Sequence, residues 1–374
     1  MSDIEKLFKP FIATDAKKYW DTFTSPRMGY YGMQDGYHFG AEYLVASKRS
    51  FMDIPHIHDG ADNYFIFTGA DLDNIWESEF QVDLYMGDSA QSMEVHTITK
   101  PSIARIPAGV WHCPIYYPKV VRGLNNIMWY SGVSTGRVYP VTNEDGSYDI
   151  RYEKDNWVHP CVEDPENKNC TYCGKCFDQP EDKIDAFMEP LIKNASSEKK
   201  YKDCIMELKK DYHKLGDAVM SPRAVFKGVE DMDHADRQFS FNIITKPCKL
   251  SDDEPVSNGQ IAEFLWFSGT DVVDAFGCWD AEVEVMLGDD PEKMQKVTFD
   301  KPGVVIVPPG FWRGPITVKR VGKPVCFIPW YPHTDKRFKI THKVVDGKSL
   351  RVYDDEASIK APSAGDELFM QIKR

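Results

Sequence analysis

Two stretches of the chain, about 200 residues apart, repeat one pattern. YFIFTGAD at 64–71 returns as FLWFSGTD at 264–271, and LYMGD at 84–88 returns as VMLGD at 285–289. KPSIARIPAGVWHCPI at 100–115 returns as KPGVVIVPPGFWRGPI at 301–316, and IMWY at 127–130 as FIPWY at 327–331. The order is kept and the spacing is nearly constant, which chance does not supply. A duplication commits the fold, because whatever one copy forms the other must be able to form. It also sets the domain count: 374 residues exceed one ordinary core and suit two.

Within each copy the apolar runs are short and rich in aromatic and β-branched residues. YFIFTG, FQVDLYMG, SIARIPAG and NNIMWYSG are examples, each ended by Gly or Pro. That is the punctuation of strands in a sandwich or barrel, and no run has the length or 3.6-residue period of an amphipathic helix. The expected class is all-β, with an N-terminal barrel over 31–150 and a C-terminal barrel over 223–343. Between them, 151–222 changes character. A Cys-rich loop is followed from Pro180 to Pro222 by Cys204, Met206, Leu208, Tyr212 and Leu215 spaced among charged residues, which predicts one or two surface helices. Residues 1–30, containing FIATDAKKYWDTF, are expected to form a helical or extended lead-in, and 344–374 a polar tail that wraps or frays.

In the first copy Pro55-His56-Ile57-His58 sets two imidazoles two residues apart, on one face of a strand. A third, His112, follows the turn in Pro107-Ala108-Gly109-Val110-Trp111. Three neutral imidazoles suit Fe, Mn, Ni, Co, Zn or Cu rather than Ca or Mg. A histidine on its own is more often a packing residue than a ligand, and His38, His96, His159 and His213 are read that way. His56, His58 and His112 differ because two separate motifs deliver them.

Those motifs carry a resemblance. His56-Ile57-His58-Asp59-Gly60-Ala61-Asp62, with Gly69 after the next strand, and Pro107-x-Gly109-x-x-His112 are similar to the two motifs of the cupin superfamily. The likeness covers about residues 30–135 and, through the duplication, 228–335. It implies two tandem cupin barrels of the double-stranded β-helix or jelly-roll type, with a divalent transition metal held by His56, His58, His112 and an acidic fourth ligand. Counted forward from His58, that ligand is Asp62; counted backward from Gly69 and against Glu263 of the second copy, it is Asn63. A carboxylate neutralises part of the ionic charge, so Asp62 is preferred and Asn63 is the alternative. The second copy has Val256, Asn258 and Arg313 where the first has its histidines. Its metal site is lost, and an ion pair of Arg313 with Glu263 is expected in its place.

Tyr64, Phe65, Phe67, Trp111, Tyr116 and Trp129 lie on the same strands. Most must fill a small barrel, while those facing the metal would wall an apolar pocket for an organic substrate with an aromatic or hydrophobic part. A second metal site is expected at Cys161, Cys170, Cys173 and Cys176, whose C-x8-C-x2-C-x2-C spacing lets four thiolates converge on one Zn. Part of an Fe–S cluster pattern is the less favoured reading. Its expected role is to staple a loop that has little core of its own.

A formal charge of −13 argues against a nucleic-acid backbone or an anionic membrane as partner. The opening MSDIEKLFKPFIATDAKK has no apolar run of signal-peptide or membrane-span length, so a cytoplasmic location is expected. The expected function is a metal-dependent enzyme acting on a small organic substrate. Dioxygenase, isomerase and decarboxylase chemistry are all implied by the resemblance, and the fold does not choose among them. The competing class is a non-catalytic small-molecule binding or storage protein, and a homodimer is left open by the outer sheets. For the four cysteines, element analysis of the purified chain should give about one Zn, or several Fe with sulfide, that Cys173→Ser removes. An unchanged content would discard the cluster.

Overall fold

Strand alternation is visible directly in which side chains are buried. Along Phe80–Ser89 the chain buries Phe80, Val82 and Leu84 and leaves Gln81 and Asp83 half-exposed, and Ala281–Gly288 repeats this with Ala281, Val283, Val285 and Leu287 inward. A period of two is what a sheet covered on one face imposes. A computed structural model describes residues 4–14, 27–34, 37–46, 49–52, 55–58, 60–77, 79–131, 136–142, 148–154, 181–251, 253–259, 261–274, 276–332 and 339–353.

The chain divides into two units. One is Ile12–Leu208 with Asp271–Ala275; the other is Met1–Phe11, Lys209–Thr270 and Phe276–Arg374. In the first, a seven-stranded antiparallel sheet runs in the order Ile205–Glu207, Ser102–Ile106, Asp62–Gly69, Leu124–Ser131, Tyr37–Ala46, Arg27–Gln34 and Ile12–Thr14. A four-stranded sheet of Ser50–Met52, Trp111–Val120, Phe80–Ser89 and Ser92–Ile98 shares a core with it through Phe65, Phe67, Val82, Leu84, Ile106 and Ile115. Ile57–His58 joins a third, small sheet with Gly136–Thr142 and Tyr148–Lys154. The second unit repeats the plan, with Glu263–Gly269 and Val325–Pro332 central in one sheet and Ala281–Gly288 and Trp312–Val321 in the other. Leu265, Phe267, Val283, Val285, Val305 and Ile316 fill its core. The all-β class with two jelly-roll barrels is what the structure shows.

The duplication extends further than the motifs. A 3-10 turn at Glu5–Leu7 leads into Phe8–Pro10, and one at Lys202–Cys204 leads into Ile205–Glu207. Phe8–Pro10 pairs with Gly303–Val305 of the C-terminal barrel, whereas Ile205–Glu207 pairs with Ser102–Ala104 of the N-terminal one. Gly303 is required by this approach: a Cβ there would stand 2.5 Å from the Lys9 carbonyl oxygen and 2.6 Å from the Phe8 ring. Phe8 in turn stacks on Phe299 with centroids 4.2 Å apart.

Two expectations change, for the segment around Cys204 and for the C-terminal tail. The segment holding Cys204, Met206 and Leu208 is extended, because its apolar residues recur at every second position, and it forms Ile205–Glu207 and Lys209–Asp211. The helix of this region is Glu181–Lys193, which buries Ile184 and Met188 against Phe51, Tyr85, Met93 and Tyr116. FIATDAKKYWDTF begins as the strand Ile12–Thr14, and its remainder lies outside the described residues. The polar tail starts as a hairpin, Ile340–Val345 with Lys348–Tyr353, whose Asp346-Gly347 turn has φ of 51° and 72°, the type I′ geometry that Asp-Gly favours.

Phe8→Ala removes a half-buried ring, so it should destabilise the C-terminal barrel by about 1–2 kcal/mol, less than the loss at a fully buried Phe. Urea denaturation measures it, and faster amide exchange over 303–307 would place the loss at this strand. A change confined to the N-terminal barrel would refute the pairing.

Candidate metal centre

The three histidines are brought together by main-chain pairing before any side chain acts. His56 N–H donates to the His112 carbonyl at 3.0 Å, and His112 N–H donates to the His56 carbonyl at 2.9 Å. His58, two residues on, pairs with Arg137. On the other side, Gly109 takes φ of 79°, which a side chain would strain, and its N–H reaches the His58 carbonyl at 3.2 Å. A register shift between His112 and Ile115, with Cys113 at φ 67°, forms a bulge that re-aims the strand just after the ligand position. The second barrel repeats the turn with Gly310 at φ 78°.

The side chains then converge. His56, His58 and His112 are each at most 3% exposed, and their candidate ligand atoms all lie within 4.8 Å of one another. His56 Nε2 and His58 Nε2 are 3.2 Å apart. A transition metal about 2.0–2.1 Å from each nitrogen would set neighbouring donors roughly 3.0–3.4 Å apart, so this pair fits. His112 Nδ1–H donates to the Val110 carbonyl at 3.0 Å, which fixes the tautomer and leaves Nε2 as the basic nitrogen. Phe65 lies beside this group, its ring centroid 6.2 Å from that of His112.

Asp62, the preferred fourth ligand, is engaged by other groups. Its carboxylate accepts from Arg105 Nε at 2.6 Å and from the Ala108 N–H at 2.9 Å, and it is not a member of the converging group. Burial would lower the Arg105 pKa, but Asp62 holds the guanidinium above its usual range. Asn63, the next residue, belongs to the opposite face of the strand. It is 2% exposed, and its Oδ1 has no hydrogen-bond partner among the described residues.

The second copy supports the same phase. Asn63 lies opposite Ile106, and Glu263 lies opposite Val307. Glu263 is buried with the residues at the other site positions: Asn258 Nδ2 donates to it at 2.7 Å, and Arg313 donates through Nε at 2.8 Å and Nη2 at 2.9 Å. The pairing of Val256 with Arg313 matches that of His56 with His112. Burial opposes the Arg313 charge, but Glu263 and Tyr331 hold its pKa above the ordinary value. The expected ion pair is therefore present.

The six aromatics divide. Phe65 and Phe67 face the barrel core, while Tyr64 and Trp129 are cross-strand partners buried on the other face of their sheet. Trp111 and Tyr116 pack with the cluster under the helix Glu181–Lys193, where Arg49 donates to the Tyr116 hydroxyl at 2.8 Å. Two interior polar residues went unread in the sequence: Asn126 Nδ2 donates to the Tyr117 hydroxyl at 3.3 Å, at positions where the second copy has Phe327 and Val318. The repeat comparison held that signal. Cys161, Cys170, Cys173 and Cys176 lie outside the described residues. Among the described residues no helix is long and apolar enough to cross a membrane.

Neither a protein-family model nor a curated protein sequence matches the chain. Solved structures do. Vicilin from Solanum melongena, described as having different anionic ligands in structurally similar pockets, is 11% identical over 91% of this chain and 88% of its own, with a TM-score of 0.50. Oxalate decarboxylase from Lactobacillus farciminis, solved as a formate complex, is 12% identical over 84% of this chain and 83% of its own, with a TM-score of 0.44. At such identities the likeness to the vicilin speaks for the fold alone.

Glu263→Gln would leave Arg313 as a buried charge with a neutral partner. It should destabilise the C-terminal barrel by about 3 kcal/mol, and replacing both residues with apolar ones, Glu263→Leu with Arg313→Met, should recover most of that. Urea denaturation of the two variants decides it; a double variant no better than the single would count against the pair.

Proposed function

We propose that this two-barrel cupin protein carries out metal-dependent chemistry on a small organic substrate at its N-terminal barrel, with the C-terminal barrel kept as a structural copy. One observation carries the reading: imidazoles from two motifs converge in one barrel, while a self-neutralising ion pair occupies the same positions in the other. His56, His58 and His112 would hold the ion, and Asn63, on the strand face that carries Phe65, would offer a fourth oxygen. Fe, Mn, Ni, Co or Zn suits this donor set and supplies Lewis-acid polarisation or, as Fe(II), dioxygen chemistry.

The chain's own contributions are positional. Val110 holds the His112 proton on Nδ1, which keeps the other nitrogen available. The reciprocal main-chain bonds of His56 and His112 keep two donors at a set separation. Phe65, its ring centroid 6.2 Å from that of His112, would shield that side of the site from water and so strengthen an electrostatic interaction there. Dioxygenation, isomerisation and decarboxylation all remain open to such a site, and an organic, aromatic substrate suits the apolar interior.

Metal analysis of protein purified without oxygen should give about one divalent transition metal at the histidines, and His112→Ala should weaken its binding at least about 100-fold while the circular dichroism stays unchanged. A chain that takes up no metal, or a His112→Ala chain that binds as well as the parent, refutes the site. Consumption of a bound organic compound by the metal-loaded protein supports the enzyme. Stoichiometric binding with no turnover across oxygen-dependent and oxygen-independent assays would favour the storage reading.

A further inference from the structure

Charge separates the two barrels. In the C-terminal barrel Arg313 brings one positive charge and Glu263 one negative charge into the same buried place, and they cancel. The N-terminal barrel has His112 and Asn63 at those positions, and a metal-binding imidazole is neutral. A divalent ion held there would keep its full charge.

Of the carboxylates whose side chains are described, Asp62 and Glu94 do not offset it. Asp62 is committed to Arg105 at 2.6 Å and to the Ala108 amide, a pair that is already neutral. Glu94 stands in the cross-strand row His112, Met86, Glu94. Its oxygens receive the Lys200 and Tyr201 amides, each at 2.6 Å, and bond His96 at 2.6 Å, so they are turned to a different segment. Among the described residues no carboxylate joins the three imidazoles. A buried site holding uncompensated charge is unfavourable unless a counter-charge enters with it.

We infer that Asn63 makes the N-terminal site selective for anionic organic ligands, such as a carboxylate, enolate, phenolate or thiolate, whose charge replaces the one a glutamate would supply. The inference rests on the metal-binding reading above and narrows its substrate class. Asn63 is suited to this role: its buried Oδ1 offers a lone pair without a charge. A glutamate in its place would neutralise part of the ion and weaken the pull on a charged substrate. Position 63 thus acts as a specificity determinant, independent of which reaction follows.

The test uses the full chain loaded with Co2+ and titrated with azide as the anionic probe, followed by the visible spectrum of the metal. The parent should show a saturable change, and Asn63→Glu should keep Co2+ but bind azide at least about tenfold more weakly. Asn63→Gln, equal in size to Glu and neutral, should stay within about threefold of the parent. Equal azide affinity in the parent and Asn63→Glu overturns the inference, and so does an equal loss in both variants, which would be steric; either result leaves the metal reading standing. A parent chain that takes up no Co2+ overturns both. Should Asn63→Glu not fold, the parent alone decides: azide must raise its Co2+ affinity at least about tenfold over the same concentration of perchlorate, since linkage is reciprocal. No difference between the two salts overturns the inference.

Discussion

The site depends on one short stretch of main-chain pairing, in which His56 and His112 each donate to the other's carbonyl. The strand carrying the first motif, Ile57–His58, is two residues long and could not hold its register alone. Its clamp to His112 on one side and to Arg137 on the other gives two histidines a defined direction. Gly109 adds a third tie by bonding the His58 carbonyl from the turn that delivers His112. The same clamp joins Val256 to Arg313 in the C-terminal barrel, where neither position holds a histidine. It therefore belongs to the duplicated scaffold, and the chemistry belongs to the side chains hung on it.

Those side chains form two sets, and the charged pair of one cannot be split. Arg313 opposite a neutral residue at 263 would be a buried unpaired cation, and Glu263 without Arg313 a buried unpaired anion. In the N-terminal barrel an arginine at 112 would meet Asn63 where the other barrel has Glu263. Arg313 and Glu263 are therefore consistent only together, while Val256 and Asn258 stand where the other barrel has His56 and His58. The buried pair in the C-terminal barrel consists of groups that satisfy one another. It is a different way of satisfying the same cluster of inward positions, complete with a hydrogen bond from Asn258.

Features of short range were legible in the sequence. The duplication, the strand class and the histidines all follow from local spacing, because a strand repeats every two residues and each motif is contiguous. The phase between His58 and the next strand was not legible by counting: Gly60, at φ 76°, lies in the connection and breaks the count. The aligned Glu263 carried the better signal, since it shares its phase with Asn63 and sits among polar partners. Six aromatics could not be placed from composition because alternation sends Tyr64 and Phe65 to opposite faces. The partner of Phe8–Pro10 lies at Gly303–Val305, a pairing that spans most of the chain and leaves no local trace beyond the small residue at 303.

The duplication also lets the interiors diverge in quality. Asn63, Asn125 and Asn126 each bury an Oδ1 that has no partner among the described residues, and all three are on the two central strands of the N-terminal barrel. A buried group left in this state costs about 1–3 kcal/mol. At the matching positions the C-terminal barrel has Glu263, which is fully engaged, and Cys326 and Phe327, which need no such partner. Asn63 and Asn126 lie on the strand faces that carry Phe65 and Phe67, whereas Asn125, opposite Thr68, lies on the other; on the inward face a group satisfied by its own protein would have nothing left to offer a ligand. The copy that gave up its histidines could close its interior with Val318 and Phe327; the copy that kept them retains Tyr117 and Asn126.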